Sequence, residues 1–207
     1  MGRGITGGGE RMDRSEVSKV IVIGTPTRDS VSAGFATDLV GLIKRTTHDV
    51  DFVPAIGTIV PNNRNMLVQV ARALGASHLL FIDSDMRFPV DVIDRLLRHE
   101  KPVIAANCMQ RTQDAPTARN GDGPIYFRNG RSGIEQVTVA GTGVMLIRMD
   151  VFDRIEPPYF TYAWDRIMHT HVGEDVMFCE RLRRAGVEIW IDNDLSQSVW
   201  HEATVLR

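Results

Sequence analysis

Leu79-Leu80-Phe81-Ile82-Asp83-Ser84-Asp85 decides how this chain is read. Four apolar residues in an unbroken run are the pattern of a strand buried on both faces of a parallel sheet. Residues two apart on an extended strand point to the same side, so Asp83 and Asp85 are expected to leave its C-terminal end together. That end is where open α/β sheets bind ligands. Two like charges there call for a cation, a proton or strong solvation. A divalent metal meets the need, and a metal beside carboxylates at a sheet edge suggests phosphate chemistry. The same acids also suit turn and cap chemistry ahead of a helix expected over 89–98.

Working outward, Lys19-Val20-Ile21-Val22-Ile23-Gly24 is a β-branched strand broken by Thr25-Pro26-Thr27. Residues 32–45 carry Phe35, Leu39, Leu42 and Ile43 at helical spacing. A strand is expected over 51–60, a helix over 61–74, strand 78–82 next, and a further strand over 102–106. Alternation of this kind argues for a parallel sheet. The second half is less regular. Loops surround a short strand at 124–127, and 137–147 reads as strand, tight bend at Gly141-Thr142-Gly143, strand. A short helix is expected over 151–155, an aperiodic aromatic stretch over 159–172, a helix over 174–185, and strands over 187–191 and 198–201. Residues 1–17 are Gly-rich and charged and are expected to be disordered, with one domain over 18–207.

Composition narrows the class. The 207 residues are 43% hydrophobic with a formal net charge of -2, enough for one core and without the basic excess that nucleic-acid binding uses. Two cysteines, Cys108 and Cys179, make neither a disulfide framework nor a metal spacing, so a reducing, cytoplasmic setting is expected. No apolar stretch approaches the ~20 residues that span a bilayer. Nothing in the pattern sets an oligomeric state.

Arg64-Asn65 opening a helix, the helix end Ala71-Arg72-Ala73-Leu74-Gly75, and the run ending in Asp83-Ser84-Asp85 resemble the nucleotide-binding half of GT-A-type glycosyltransferases, most nearly glycosyltransferase family 2 and its relatives. Gly141-Thr142-Gly143 before a strand, Gly173-Glu174-Asp175 opening a helix and the late His201 are similar to that family's acceptor-side strand, Glu-Asp motif and third metal ligand. The likeness covers 20–201. It implies a Rossmann-like mixed sheet flanked by helices, and metal-dependent transfer of a sugar from a nucleotide-diphosphate donor, UDP being expected, to a hydroxyl on a glycan, protein or small-molecule acceptor.

The resemblance also implies roles. Asp85 becomes the first metal ligand, Asp83 a ribose or metal-water contact or a further ligand, and His201 an imidazole ligand. Two oxygen donors and one imidazole suit Mn²⁺, with Mg²⁺ the alternative. Asp175 becomes the base that takes the acceptor's proton, with Glu174 supporting it. Thr25, Pro26 and Arg28 would border base and ribose, Arg64 would meet the diphosphate or the base, and Ser84 stands between the two acids. A helix N-terminus lowers a carboxylate's pKa, so Asp175 needs burial or a neighbouring acid to remain a useful base. Plainer readings exist for each: a good helix start at Gly173-Glu174-Asp175, a surface histidine at 201, exposed arginines at 28 and 64. Inversion is favoured, retention stays open, and a sugar-phosphate nucleotidyltransferase or a non-catalytic binding module are the alternatives. No P-loop-type glycine run occurs.

Overall fold

The computed structural model describes residues 20–110, 115–121, 123–126 and 130–202. The expectation for 1–17 lies outside the described residues, as does the end of the strand expected at 124–127. In chain order the elements are β1 (Ile21–Thr27), α1 (Ala33–Arg45), β2 (Val50–Ile56), α2 (Val60–Ala73), β3 (His78–Ile82), β4 (Met86–Arg87), α3 (Val92–Leu97), β5 (Val103–Ala105), β6 (Arg119–Asn120), β7 (Gly123–Pro124), β8 (Ile134–Val137) and β9 (Val144–Arg148). A 3₁₀ turn (Met149–Asp153), β10 (Ala163–Asp165), β11 (Thr170–Val172), α4 (Glu174–Arg184), β12 (Ile189–Asp192), α5 (Asn193–Ser196) and β13 (Trp200–His201) complete it.

Seven strands form one sheet in the order β2-β1-β3-β9-β5-β12-β8. The sheet is mixed, as the resemblance implied, and not the wholly parallel one that alternation alone argued, because β9 lies antiparallel between β3 and β5, and β8 runs antiparallel on the edge beside β12. Of the strand, bend and strand expected over 137–147, the first strand lies earlier, as β8, and the second is β9. β8 and β9 sit at separate places in the sheet, and Gly141-Thr142-Gly143 connects them.

Alternation along the central strands divides the core. Leu79 and Phe81 of β3, with Met145 and Ile147 of β9, face a cluster holding Leu67, Val68 and Ala71 of α2 and Phe178 and Leu182 of α4. Leu80 and Ile82, with Val144 and Leu146, face Phe35, Leu39 and Leu42 of α1 and Val92 and Leu96 of α3. Helices therefore cover both sides of a sheet whose middle strands are buried on each face. α1 starts as expected: Phe35 N donates to the Ser32 Oγ at 3.0 Å. Among the described residues no helix is long and apolar enough to cross a membrane.

Candidate active site

β2 lies on one side of β1 and β3 on the other, so the sheet has its switch point beside β1, where open α/β sheets form a crevice. A cleft of about 280 Å³ opens there, lined by Pro26, Thr27 and Arg28 at the end of β1, Gly57, Thr58 and Val60 after β2, Asn63 and Arg64 of α2, Asp83, Ser84 and Asp85 after β3, and Glu174. An adjoining cavity of about 220 Å³ is lined by Arg64, Asp83, Cys108, Gln110, Thr117, Gly141, Thr142, Gly143, Glu174, Asp175 and His201. Arg64, Asp83 and Glu174 border both.

Asp83 and Asp85 reach the cleft by a route the strand argument did not foresee. β3 ends at Ile82, and Met86 N donates to Asp83 O at 3.0 Å, so the acids sit in a turn. Three distant segments hold that turn by its backbone. Asp83 N donates to Gly143 O at 2.9 Å, Ser32 N to Ser84 O at 2.9 Å, and Glu202 N to Asp85 O at 2.7 Å. Gly143 immediately precedes β9, Ser32 caps α1, and Glu202 follows β13, which pairs antiparallel with β4. His201 is thereby brought beside Met86 from the far end of the chain. Its Nδ1 lies 3.0 Å from Met109 O. A carbonyl only accepts, so Nδ1 carries the proton, and the neutral ring keeps its lone pair on Nε2.

Arg64 is the centre of the electrostatics. It stands in the second turn of α2 with its side chain 3% exposed, donating from Nη2 to Asp83 Oδ1 at 2.8 Å and from Nε to Glu174 Oε1 at 3.4 Å. The guanidinium carbon lies 5.2 Å from the centre of the Phe81 ring. Burial acts to lower its pKa, but the charges of Asp83, Glu174 and Asp175 outweigh that and hold it above the usual arginine value. A single buried cation thus ties the strand-end acid to the helix-start acid.

At Asp175 the opposing pulls resolve upward. Burial first, and the charge of Glu174 second, push its carboxyl above the usual aspartate value. The Val176 N–H, donating to Oδ1 at 2.7 Å, and the charge of Arg64 pull the other way without prevailing. Gly173 leaves room for this arrangement, since a Cβ there would sit 2.8 Å from Asp175 Oδ1.

Other expected residues are placed differently. Thr25 is fully buried inside β1 and, unlike its neighbours Pro26 and Thr27, does not line the cleft. Pro26 and Arg28 do line the cleft, and the Arg28 side chain is 75% exposed beside Asp29 at 3.2 Å. Among the described residues, no three His, Cys, Asp or Glu side chains stand close enough together to hold a metal ion. Asp85 lines the cleft, His201 lines the adjoining cavity, and Asp83 borders both.

Two supporting residues were not read from the sequence. Asn63 Nδ2 donates to Gly57 O at 2.9 Å and fixes the β2–α2 loop on the cleft's rim. Asn65, next to Arg64, donates from Nδ2 to Phe160 O at 2.8 Å and accepts at Oδ1 from Tyr159 N at 2.8 Å and Phe160 N at 3.1 Å. Phe160 then packs edge-on against Phe81 at 5.5 Å and stacks on Phe178 at 4.3 Å. The Arg64-Asn65 pair in its helix was the only signal for either.

Solved structures share this arrangement of elements. A197 from STIV overlays with a TM-score of 0.57 at 15% identity, over 84% of this chain and 81% of that one. S. aureus TarS 1-349 overlays with a TM-score of 0.54 at 15% identity, over 88% of this chain and 60% of that one. The fold is GT-A-like. A Desulfovibrio desulfuricans G20 protein described as a nucleotide-diphospho-sugar transferase overlays at 12% identity with a TM-score of 0.45, over 84% of this chain and 79% of that one, too loosely to weigh. No protein-family model matches the sequence, and no curated protein matches it as a relative. At these identities the likeness speaks for the fold and not for the activity.

Proposed function

We propose that this chain is a glycosyltransferase that moves a sugar from a nucleotide-diphosphate donor, UDP being the expected nucleotide, to an acceptor hydroxyl. One observation carries the reading: a cleft at the sheet's switch point and a second cavity share a wall made of Arg64, Asp83 and Glu174, with Asp85 on one side and Asp175 on the other. A transferase needs such a pair, one chamber for the leaving group and one for the nucleophile, meeting at the reacting carbon.

The donor set fits a divalent cation shared with the substrate. Mg²⁺ or Mn²⁺ is commonly held by one or two carboxylates with phosphate oxygens completing the shell, so Asp83 and Asp85 suffice without a third protein ligand close by. His201 Nε2 would be the nitrogen donor if the ion draws the two cavities' walls together. When bound, the ion would neutralise charge developing on the departing diphosphate.

The chain's own residues do the remainder. Asp175 accepts the proton from the acceptor hydroxyl as its oxygen bonds to the anomeric carbon, and the bond from that carbon to the diphosphate oxygen breaks with its electron pair leaving on the nucleotide. Arg64 holds Glu174 and Asp83 in place on the shared wall. Base and leaving group on opposite sides of that wall favour inversion.

A screen of nucleotide sugars with and without Mn²⁺ tests this. Metal-dependent release of UDP from one donor is expected. Release that is unchanged in Asp85→Ala, or absent for every donor, overturns the reading. Pyrophosphate formed from a nucleoside triphosphate and a sugar phosphate would assign a nucleotidyltransferase instead.

A further inference from the structure

We propose that Glu202 is a positioning residue, whose carboxylate latches β13 to the first turn of α1 and so sets where the His201 imidazole stands in the cavity it shares with Asp83 and Asp175. This rests on the transferase reading for what His201 does in that cavity.

β13 is a short strand held at both ends. Its ladder with β4 is two residues long, Trp200 opposite Arg87 and His201 opposite Met86, and so short a pairing is marginal by itself. On one side the chain is anchored by Val199, buried in the cluster that packs against α1. On the other, Glu202 makes two contacts. Its N–H donates to Asp85 O at 2.7 Å, and its Oε2 accepts from Gly34 N at 3.2 Å. His201 hangs between these anchors.

α1 is built to receive that carboxylate. The N–H groups of a helix's first turn have no partner inside the helix, and that end favours a negative charge. Ser32 Oγ takes the Phe35 N–H, which leaves that of Gly34. The first turn of α1 holds no acid of its own, whereas its last turn holds Lys44 and Arg45. Glu202, 168 residues away, supplies the missing one. One turn further along α1, Asp38 accepts from Arg87 of β4, from Nε at 2.6 Å and from Nη2 at 3.0 Å. Gly34 and Asp38, four residues apart, thus offer one helix face to both strands. The Arg87 guanidinium carbon lies 5.8 Å from the centre of the Trp200 ring, which closes the group from the β13 side.

Gly34 lets these pieces meet. A Cβ there would stand 2.5 Å from Glu202 Oε2 and 2.6 Å from Arg87 Cδ. Both belong to long side chains that can swing aside, so a methyl group would break the latch and spare the helix, which favours alanine over glycine. What the latch places is an oriented ring. His201 Nδ1 is fixed by Met109 O at 3.0 Å, which leaves Nε2 as the basic nitrogen. Partners that orient a metal ligand without touching the ion are typically worth about 10–100-fold in metal affinity or activity.

The ring reports the latch directly. In the long-range proton–nitrogen NMR spectrum of the full chain, recorded above the ordinary imidazole pKa and assigned with His201→Asn, His201 is expected to show the Nδ1–H form. Glu202→Ala and Gly34→Ala are each expected to replace it with a mixture of tautomers. Each is also expected to weaken Mn²⁺ about tenfold, titrated in the presence of UDP by the broadening of the same resonance. Glu202→Gln, whose amide oxygen still accepts from Gly34 N, is expected to stay within about threefold of the parent. The donor KM at saturating Mn²⁺ is expected to change less than about threefold in all three, since Gly143 and Ser32 still hold the acidic turn. Either alanine variant suffices if the other fails to fold. The proposal is overturned if the alanine variants keep the parent's ring spectrum, or if Glu202→Gln is as damaging as Glu202→Ala. A ring that moves in the variants, in a parent that neither binds Mn²⁺ nor releases UDP from any donor, sinks the transferase reading alone. Metal-dependent UDP release with a ring that the variants leave unmoved sinks this proposal alone.

Discussion

On the β1–β3 side, the candidate residues follow strands that are paired in register along their length, and the Asp83–Asp85 turn takes backbone hydrogen bonds from three separate segments. On the α4 side, Glu174 and Asp175 begin a helix approached through a hairpin, and single side chains hold them: Arg64 by its ion pairs, Asn65 through Phe160. Support on the first side is distributed over the backbone. On the second it is concentrated in a few residues. Loss of one supporting side chain should therefore be tolerated near the Asp83–Asp85 cleft and felt sharply near the Asp175 cavity.

Chemistry should show the largest effect. Asp175→Asn is expected to lower the turnover of transfer by roughly 10²–10⁴-fold, the usual worth of a positioned base. Donor affinity should stay nearly unchanged, as measured by UDP titration. Lost donor binding would make Asp175 a support for the cleft, and the contrast between the two sides would collapse. The pH dependence sharpens this. Burial holds the Asp175 carboxyl above its usual value, so the acid limb of kcat/KM should lie above the ordinary aspartate range. Between the unfolded and folded pKa values the native state binds more protons than the unfolded one, so this group's contribution to stability falls as pH rises through that window. Asp175→Asn should then gain stability relative to the parent across the same window and match it at lower pH.

Two substitutions on α2 test the concentrated support. Arg64→Met leaves Asp83 and Glu174 beside each other without their cation and should cost roughly 3 kcal/mol, the low end for a broken buried ion pair because Asp83 keeps some contact with water. Denaturant titration reads it, and a change below about 1 kcal/mol would mean that solvent already screens the pair. Asn65→Ala strips the Tyr159 and Phe160 N–H groups of their acceptor and should cost roughly 2 kcal/mol. Amide exchange should quicken over 159–172 and stay unchanged over β1 and β3. Uniform acceleration would show that the hairpin's base and the sheet open as one unit.

The same contrast separates what could be read from the sequence. Apolar runs and helical spacing located β1, α1, α2, β3 and α4 within a few residues, because burial on both faces of a central strand writes itself into every position. Strand direction does not, so alternation alone could not show the antiparallel insertion of β9, and the two-residue strand β4 and the hairpin β10–β11 were too short to carry a period, whereas β13 falls within the strand expected over 198–201. The acids at 83, 85, 174 and 175 were legible as charges at element ends, and the fold does bring them together around one wall. Arg64's role as the tie between them was not, since its partners Asp83 and Glu174 lie 19 and 110 residues away. Thr25 was read as lying in a breaker past the strand's end, whereas β1 runs on to Thr27.

Ser32→Ala provides the counterpart on the donor side. Its Oγ caps α1 by accepting from Phe35 N at 3.0 Å, and its own N–H donates to Ser84 O at 2.9 Å in the acidic turn. Substitution removes the cap and leaves the backbone donation intact. The cost should be about 1 kcal/mol in denaturant titration, the ordinary worth of a cap. Because the turn is also held by Gly143 O and Glu202 N, UDP release should change less than threefold. A larger loss of activity at that small cost in stability would mean that the α1 N-terminus sets the position of Ser84 and Asp85 by itself. The donor side would then depend on one support as the acceptor side does, and the difference between the two walls would be one of visibility in the sequence and not of construction.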